Sequence, residues 1–163
     1  MDTPVTTSYA GRQIVLEMLQ SVTLPTQEQR VHLTSVGNDS KIVTGIQKAV
    51  QRYAVLLLTT AGDVHFDTNQ GGELISKLTT GHIQNMGYLY HIFGIANSNA
   101  LRIIYSEDAA SVFGTVPDDE RITNAELEDA AMDYTTGVIS LTVKLTTAAG
   151  PDYTFVLPVN TTE

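Results

Sequence analysis

At 163 residues, with 42% of them hydrophobic, the chain is long enough to bury the core of one domain. A formal net charge of −9 argues against a basic footprint for nucleic-acid backbone, and the absence of cysteine excludes disulfides and thiolate zinc sites. Charged residues make up 17%, below the roughly 25% usual for soluble domains, which fits either a surface partly covered by partners or one rich in threonine and asparagine.

The opening MDTPVTTSYAGRQ lacks the apolar segment of a signal peptide, and no run reaches the ~18 apolar residues of a membrane span. Folding in a cytoplasm is therefore expected, without a membrane partner. Residues 1–10 are threonine-rich and read as loose or extended. Residues 11–20 suggest a helix with Ile14, Val15, Met18 and Leu19 on one side. Leu24-Pro25-Thr26 interrupts it, because proline disfavours the helical region for the residue before it. Val31, Leu33 and Ser35 flank a short strand, and Gly37-Asn38-Asp39-Ser40 is turn chemistry, with Asp39 or Ser40 placed to cap the next helix. Residues 1–40 read as an N-terminal arm or as an outer layer of the domain formed by residues 41–163.

The organising stretch is residues 41–78. Ile42, Ile46, Ala49, Val50, Tyr53 and Leu57 recur at helical spacing, with Lys41, Gln47, Lys48, Gln51 and Arg52 largely on other faces. Thr59 to Asp63 forms a glycine-containing turn, Val64-His65-Phe66 an extended step, and Asn69-Gln70-Gly71-Gly72 a second turn before a helix over 73–78. Two further helices are predicted over 81–96 and 100–113, separated by a break at Asn97-Ser98-Asn99. Gly87 and Gly94 suggest close packing of another backbone or a less regular helix. The run GTVPDD, residues 114–119, is a firm stop.

The period then changes. Ile139, Leu141, Val143 and Leu145 alternate with polar residues, as do Tyr153, Phe155, Leu157 and Val159 beyond the turn Ala148-Ala149-Gly150-Pro151-Asp152. This predicts a hairpin, joined by a third strand over 124–132, with Pro158 on an edge strand or past the last ladder bond. The fold class expected is α+β, with N-terminal helices packed on a C-terminal antiparallel sheet.

Leu58-Thr59-Thr60, Gly62-Asp63, Phe66 and Gly71-Gly72-Glu73-Leu74 together resemble the baseplate wedge or sheath-initiator family of contractile phage tails, often labelled lysozyme-like. The resemblance extends over about the last three quarters of the chain. It implies a structural virion protein, assembled in the host cytoplasm and located in the tail baseplate. Its implied partners are other wedge proteins and the sheath subunit, with tail tube or hub proteins as further candidates, and no cofactor. The family carries a Glu-Pro-Arg triplet before its sheet, thought to contact neighbouring wedge subunits. Asp119-Glu120-Arg121 looks like the counterpart: Arg121 matches, Asp119 keeps the acid, and Glu120 replaces the proline, removing its fixed φ. The resemblance also implies that sheath arms add to the sheet. Tyr153, Phe155, Leu157 and Val159 mark that edge, or residues 138–146 if the strand order is reversed.

The histidines, His32, His65, His82 and His91, show no i, i+4 metal pairing, and no P-loop, GxGxxG or GxSxG is present. Glycoside hydrolysis needs two carboxylates across a cleft; Glu107-Asp108 and Asp118-Asp119-Glu120 are adjacent in sequence and lie in polar stretches. The reading is a non-enzymatic wedge component that initiates the sheath. The alternatives are a muramidase-type lytic enzyme and a small cytoplasmic adaptor of the same fold.

Overall fold

The computed structural model describes residues 44–60, 62, 71–80, 83, 85–111, 114–133 and 135–160, and the backbone of four short strands between residues 15 and 43. The strands are β1 (Val15–Leu16), β2 (Leu19–Thr23), β3 (Gln29–Leu33) and β4 (Ile42–Val43). β1 pairs antiparallel with β4, and β2 with β3. Where the helix over 11–20 was expected, the described residues, 15–16 and 19–20, are strand. The periodicity there is short, and non-local pairing with residues up to Val43 overrides it. The capping turn at 37–40 and the extended step at 64–66 lie outside the described residues.

Helix α1 (Ile46–Leu58) starts after Gly45, whose φ of 64° favours glycine. It therefore begins later than the hydrophobic spacing suggested, and Ile42 belongs to a strand. Ala49, Tyr53, Ala54 and Leu57 are buried at the expected three-four spacing. Lys48 and Gln51 are buried as well, contrary to their expected outer placement. Thr59 ends the helix in an extended conformation, its hydroxyl donating to Val55 O at 2.6 Å.

The chain returns at Gly71-Gly72, where Gly72 N donates to Thr59 O at 2.9 Å and a parallel bridge joins Thr60 to Gly72. A side chain at Gly71 would put Cβ 2.5 Å from Thr59 O, and φ there is 92°. Only glycine lets the two backbones approach this closely. Helix α2 (Leu74–Thr79) then buries Leu74 and Leu78.

Helix α3 (Met86–Ala109) is continuous for 24 residues and is capped by Asn85, whose side chain accepts from Tyr88 N at 2.8 Å. The predicted break at 97–99 does not occur. Asn97 is drawn into tertiary bonds instead of a local turn, and the Ser98 hydroxyl donates to Gly94 O at 2.8 Å. Gly87 and Gly94 lie on the exposed face, and a Cβ at Gly94 would meet open space, so no backbone packs there.

The helices are followed by a three-stranded antiparallel sheet in the order β5 (Ile122–Asp133), β6 (Val138–Thr147), β7 (Asp152–Asn160). The architecture is α+β, with helices first and sheet last, as the change of period predicts. Ile139, Leu141, Val143 and Leu145 of β6 and Phe155, Leu157 and Val159 of β7 face the helices and are buried. Tyr53 meets Phe155 edge-on, with ring centroids 6.2 Å apart and planes at 80°, a geometry contributing about 0.5–1.5 kcal/mol beyond burial. The Tyr53 hydroxyl donates to Asn97 Oδ1 at 2.8 Å, and Asn97 Nδ2 donates to Ala125 O at 2.7 Å. One polar chain thus links α1, α3 and β5 through the core, satisfying groups that would otherwise be costly to bury.

Candidate interaction surface

The turn before β5 carries the triplet singled out in the sequence. Pro117 O accepts from Glu120 N at 3.0 Å and from Arg121 N at 2.9 Å, which turns the chain tightly. The turn is pinned to the β6–β7 corner by Ala148 N to Arg121 O (2.9 Å) and Ala149 N to Asp118 O (3.0 Å). This geometry separates the three residues. Glu120 points inward and is 4% exposed; its Oε2 lies 2.8 Å from Lys48 Nζ and its Oε1 accepts from Gly45 N at 3.2 Å. A carboxylate here meets the positive end of α1, so it serves the capping role that Gly45 cannot. Asp119 is exposed and lies over Gly45, with Oδ2 2.9 Å from where a Cβ would stand. Arg121, also exposed, pairs with Asp118 at 2.5 Å. Glu120 thus works within the chain, and Asp119 and Arg121 supply the outward-facing charge.

The sheet has two edges, β5 and β7, because β6 is central. Residues 138–146 therefore do not form an edge, which removes the reversed strand order. The outer side of β5 is taken by other groups. Tyr105 OH donates to Thr123 O at 2.9 Å, Asn97 Nδ2 takes Ala125 O, and Asp129 Oδ1 accepts from Ala130 N at 2.9 Å. Register shifts between Ile122 and Asn124 and between Leu127 and Asp129 interrupt the strand further. Side-chain caps, bulges and carboxylates are the devices that keep an edge from pairing.

The β7 edge is different in kind. The register pairs Pro158 with Ser140 and runs without a shift from Asp152 to Asn160. Proline has no N–H for β6, so a regular ladder places its backbone outward, and with it the backbone of Val156 and Thr154. Phe155, Leu157 and Val159 are buried and Tyr153 is half-buried, stacked on Phe155 at 6.5 Å. These four side chains, expected as sheath-arm contacts, belong to the core side. A strand added here would meet backbone and the side chains of Thr154 and Val156, beside β3, whose Cα atoms come within 8 Å of β7 without a ladder between the two.

The face of the sheet away from the helices is polar. Lys144 lies 2.5 Å from Glu126, 3.9 Å from Glu128 and 4.0 Å from Asp152. The Glu126 hydrogen bond is the main reason that the ammonium is held above its ordinary pKa. Thr146 donates to Asp152 at 2.7 Å and Thr154 to Glu128 at 3.3 Å, so the row is cross-linked across all three strands.

The remaining acid pair, Glu107-Asp108, is turned toward Arg52 of α1, at 2.7 Å and 2.5 Å. Arg52 also donates to Ile104 O at 3.3 Å. Burial works to lower the Arg52 pKa, but the hydrogen bonds and charges of Asp108 and Glu107 outweigh it and hold the guanidinium above its ordinary value. This clamp ties α1 to the end of α3. Among the described residues no cluster of three or more His, Cys, Asp or Glu side chains has metal-holding geometry, and no helix is long and apolar enough to cross a membrane. His91 is exposed on α3; the side chains of His32, His65 and His82 lie outside the described residues.

The sequence points to Asp119, Glu120 and Arg121 as a group, and the signal that would have separated them was Lys48, a lysine on the apolar side of α1 three residues after a glycine. Compared with protein-family models, curated proteins and solved structures, the chain finds no match in any of the three.

Proposed function

We propose that this chain is a structural baseplate component of a contractile tail, a wedge protein that starts the sheath by taking an extended arm of the first sheath subunits onto its sheet. The observation that carries this reading is the asymmetry of the two edges. β5 is capped by Tyr105, Asn97 and Asp129, whereas β7 runs in unbroken register with the Thr154 and Val156 backbone facing outward. Strand addition uses such main-chain groups for affinity and alternate side chains for specificity. The mechanism is geometric and requires no cofactor.

In this reading the helical layer and the exposed charges of Asp119 and Arg121 face neighbouring wedge proteins. The likeness of residues 58–74 to the wedge family supports it from the sequence side. The test is immunogold labelling of intact particles from the source lysate. Label confined to the tail end, at the base of the sheath, is the expected result. Unlabelled particles, with the protein abundant in the soluble fraction and its epitope accessible, would refute it.

A further inference from the structure

Helix α3 is apolar on both sides. Its inner face buries Leu89, Ile92, Phe93 and Ile104. Among the described residues, the large hydrophobic side chains that stand exposed are Met86, Tyr90, Ile95 and Tyr105, and all four lie on this same helix. A helix that is apolar all round is ordinarily covered all round, and exposed apolar side chains gathered in one patch mark a contact surface. From Met86 to Ser106 the only formal charge is Arg102. Copies of a chain with a net charge of −9 repel one another wherever their acids face, and this stretch carries no acid.

The exposed face also has a shape. Its centre line runs through Gly87, Gly94, Ser98 and Tyr105, all exposed, at spacings that return to one side of a helix. A Cβ at Gly94 would meet nothing within 4 Å, so the middle of the face is open. Tyr105 is held by its hydroxyl, which donates to Thr123 O at 2.9 Å. A ring already fixed in place loses little freedom on docking.

We propose that this face of α3 is the contact between two copies of the chain, packed antiparallel about a two-fold axis at Ala96. In such a contact each residue meets the one equally far along the helix on the other side of the axis. Gly94 and Ser98 each stand two residues from Ala96, so they face each other and let the helices approach closely. Gly87 and Tyr105 each stand nine residues away, so the Tyr105 ring of each copy fills the space over Gly87 of the other, beside Met86 and Tyr90. Parallel packing would instead set tyrosine on tyrosine and glycine on glycine, a collision at one end and a gap at the other. A strongly basic or acidic partner would find no matching charge here, whereas a second copy matches in shape and in charge. A face about 36 Å long and one helix wide offers roughly 400 Å². That is below the ~800 Å² per partner of a standard complex, so the pair is reversible and forms with concentration. The inference stands apart from the tail reading.

The test is sedimentation equilibrium of the full-length chain over a range of concentrations, with Gly94→Glu and Ala149→Glu beside the parent. Gly94→Glu brings like charges together near the two-fold axis, while its open surroundings and better helix propensity leave the single chain folded. Ala149→Glu adds the same charge to the exposed β6–β7 turn and is the control. Far-UV circular dichroism checks that the helices remain. The apparent mass of the parent and of Ala149→Glu is expected to rise with concentration from 17.7 kDa toward twice that value, and Gly94→Glu to stay at 17.7 kDa. A parent that stays at one chain mass throughout would overturn the pairing. So would association that Gly94→Glu leaves intact, or that Ala149→Glu abolishes as well.

Discussion

Removing Lys48 tests how the turn before β5 is held. Lys48→Met keeps the length and apolar stem of the side chain but leaves the Glu120 carboxylate, 4% exposed, without the ammonium 2.8 Å away. Breaking a buried pair from one side costs about 3–5 kcal/mol, because the remaining charge stays desolvated. The Gly45 N–H at 3.2 Å and the positive end of α1 still face Glu120, which places the expected loss at the lower end, about 3 kcal/mol. For a chain of this size that corresponds to a fall in Tm of roughly 6–12 °C. Glu120→Gln should cost a similar amount, since it takes the carboxylate away from the buried lysine instead. The double variant Lys48→Met/Glu120→Gln should lose clearly less than the sum of the two. Urea unfolding followed by circular dichroism at equilibrium gives the cycle, the chain having no tryptophan to report. Two single variants that each lose under about 1 kcal/mol and add without coupling would show that the pair behaves as an exposed one, and would refute the reasoning.

Three further outcomes follow from the same geometry. Gly71→Ala should destabilise by about 1–3 kcal/mol, because of its φ of 92° and the Thr59 carbonyl, whereas Gly94→Ala should stabilise by about 0.5–1 kcal/mol; thermal unfolding of both checks the contrast. Tyr53 is held above its ordinary value of 10.0 by burial, so its contribution is complete below pH 10 and declines as pH rises toward the folded-state value. An absorbance titration of the phenolates should therefore show one tyrosine silent until alkaline unfolding, and Tyr53→Phe should remove that late step. Asp133 accepts from the Thr136 hydroxyl and Thr135 N–H, which lower its pKa below 3.8; its contribution is complete above that value and fades as pH falls through the folded one. Asp133→Asn should flatten the acid limb of a stability-against-pH profile.

The C-terminal hairpin was legible in the sequence because strict alternation in β6 and β7 leaves one period and one face to bury. β5 was legible in place but not in its detail, since the bulges follow from backbone register and carry no side-chain signature. In α3, the run Asn97-Ser98-Asn99 has the chemistry of a turn, and only the positions of Tyr53 and Ala125 explain why Asn97 sits mid-helix. Strand β1 and the start of β2 were misread as helix because a few apolar residues at three-four spacing fit either state; the partner of β1 lies 26 to 28 residues away, and β2 pairs with the nearby β3. The inward Glu120 was hidden because its partner Lys48 is 72 residues away. Residues 153, 155, 157 and 159 do lie on an edge strand, but their alternation marks the core face, and a regular ladder turns outward the backbone of the residues between them.

The most direct test of the edge assignment is photocrosslinking inside assembled particles. A benzoylphenylalanine replaces Thr154 on β7 in one preparation and Asn124 on β5 in another, each incorporated into full-length protein. The account predicts a crosslink from position 154 to the sheath subunit and none to it from position 124. A crosslink to the sheath subunit from position 124, with position 154 silent in the same particles, would contradict it.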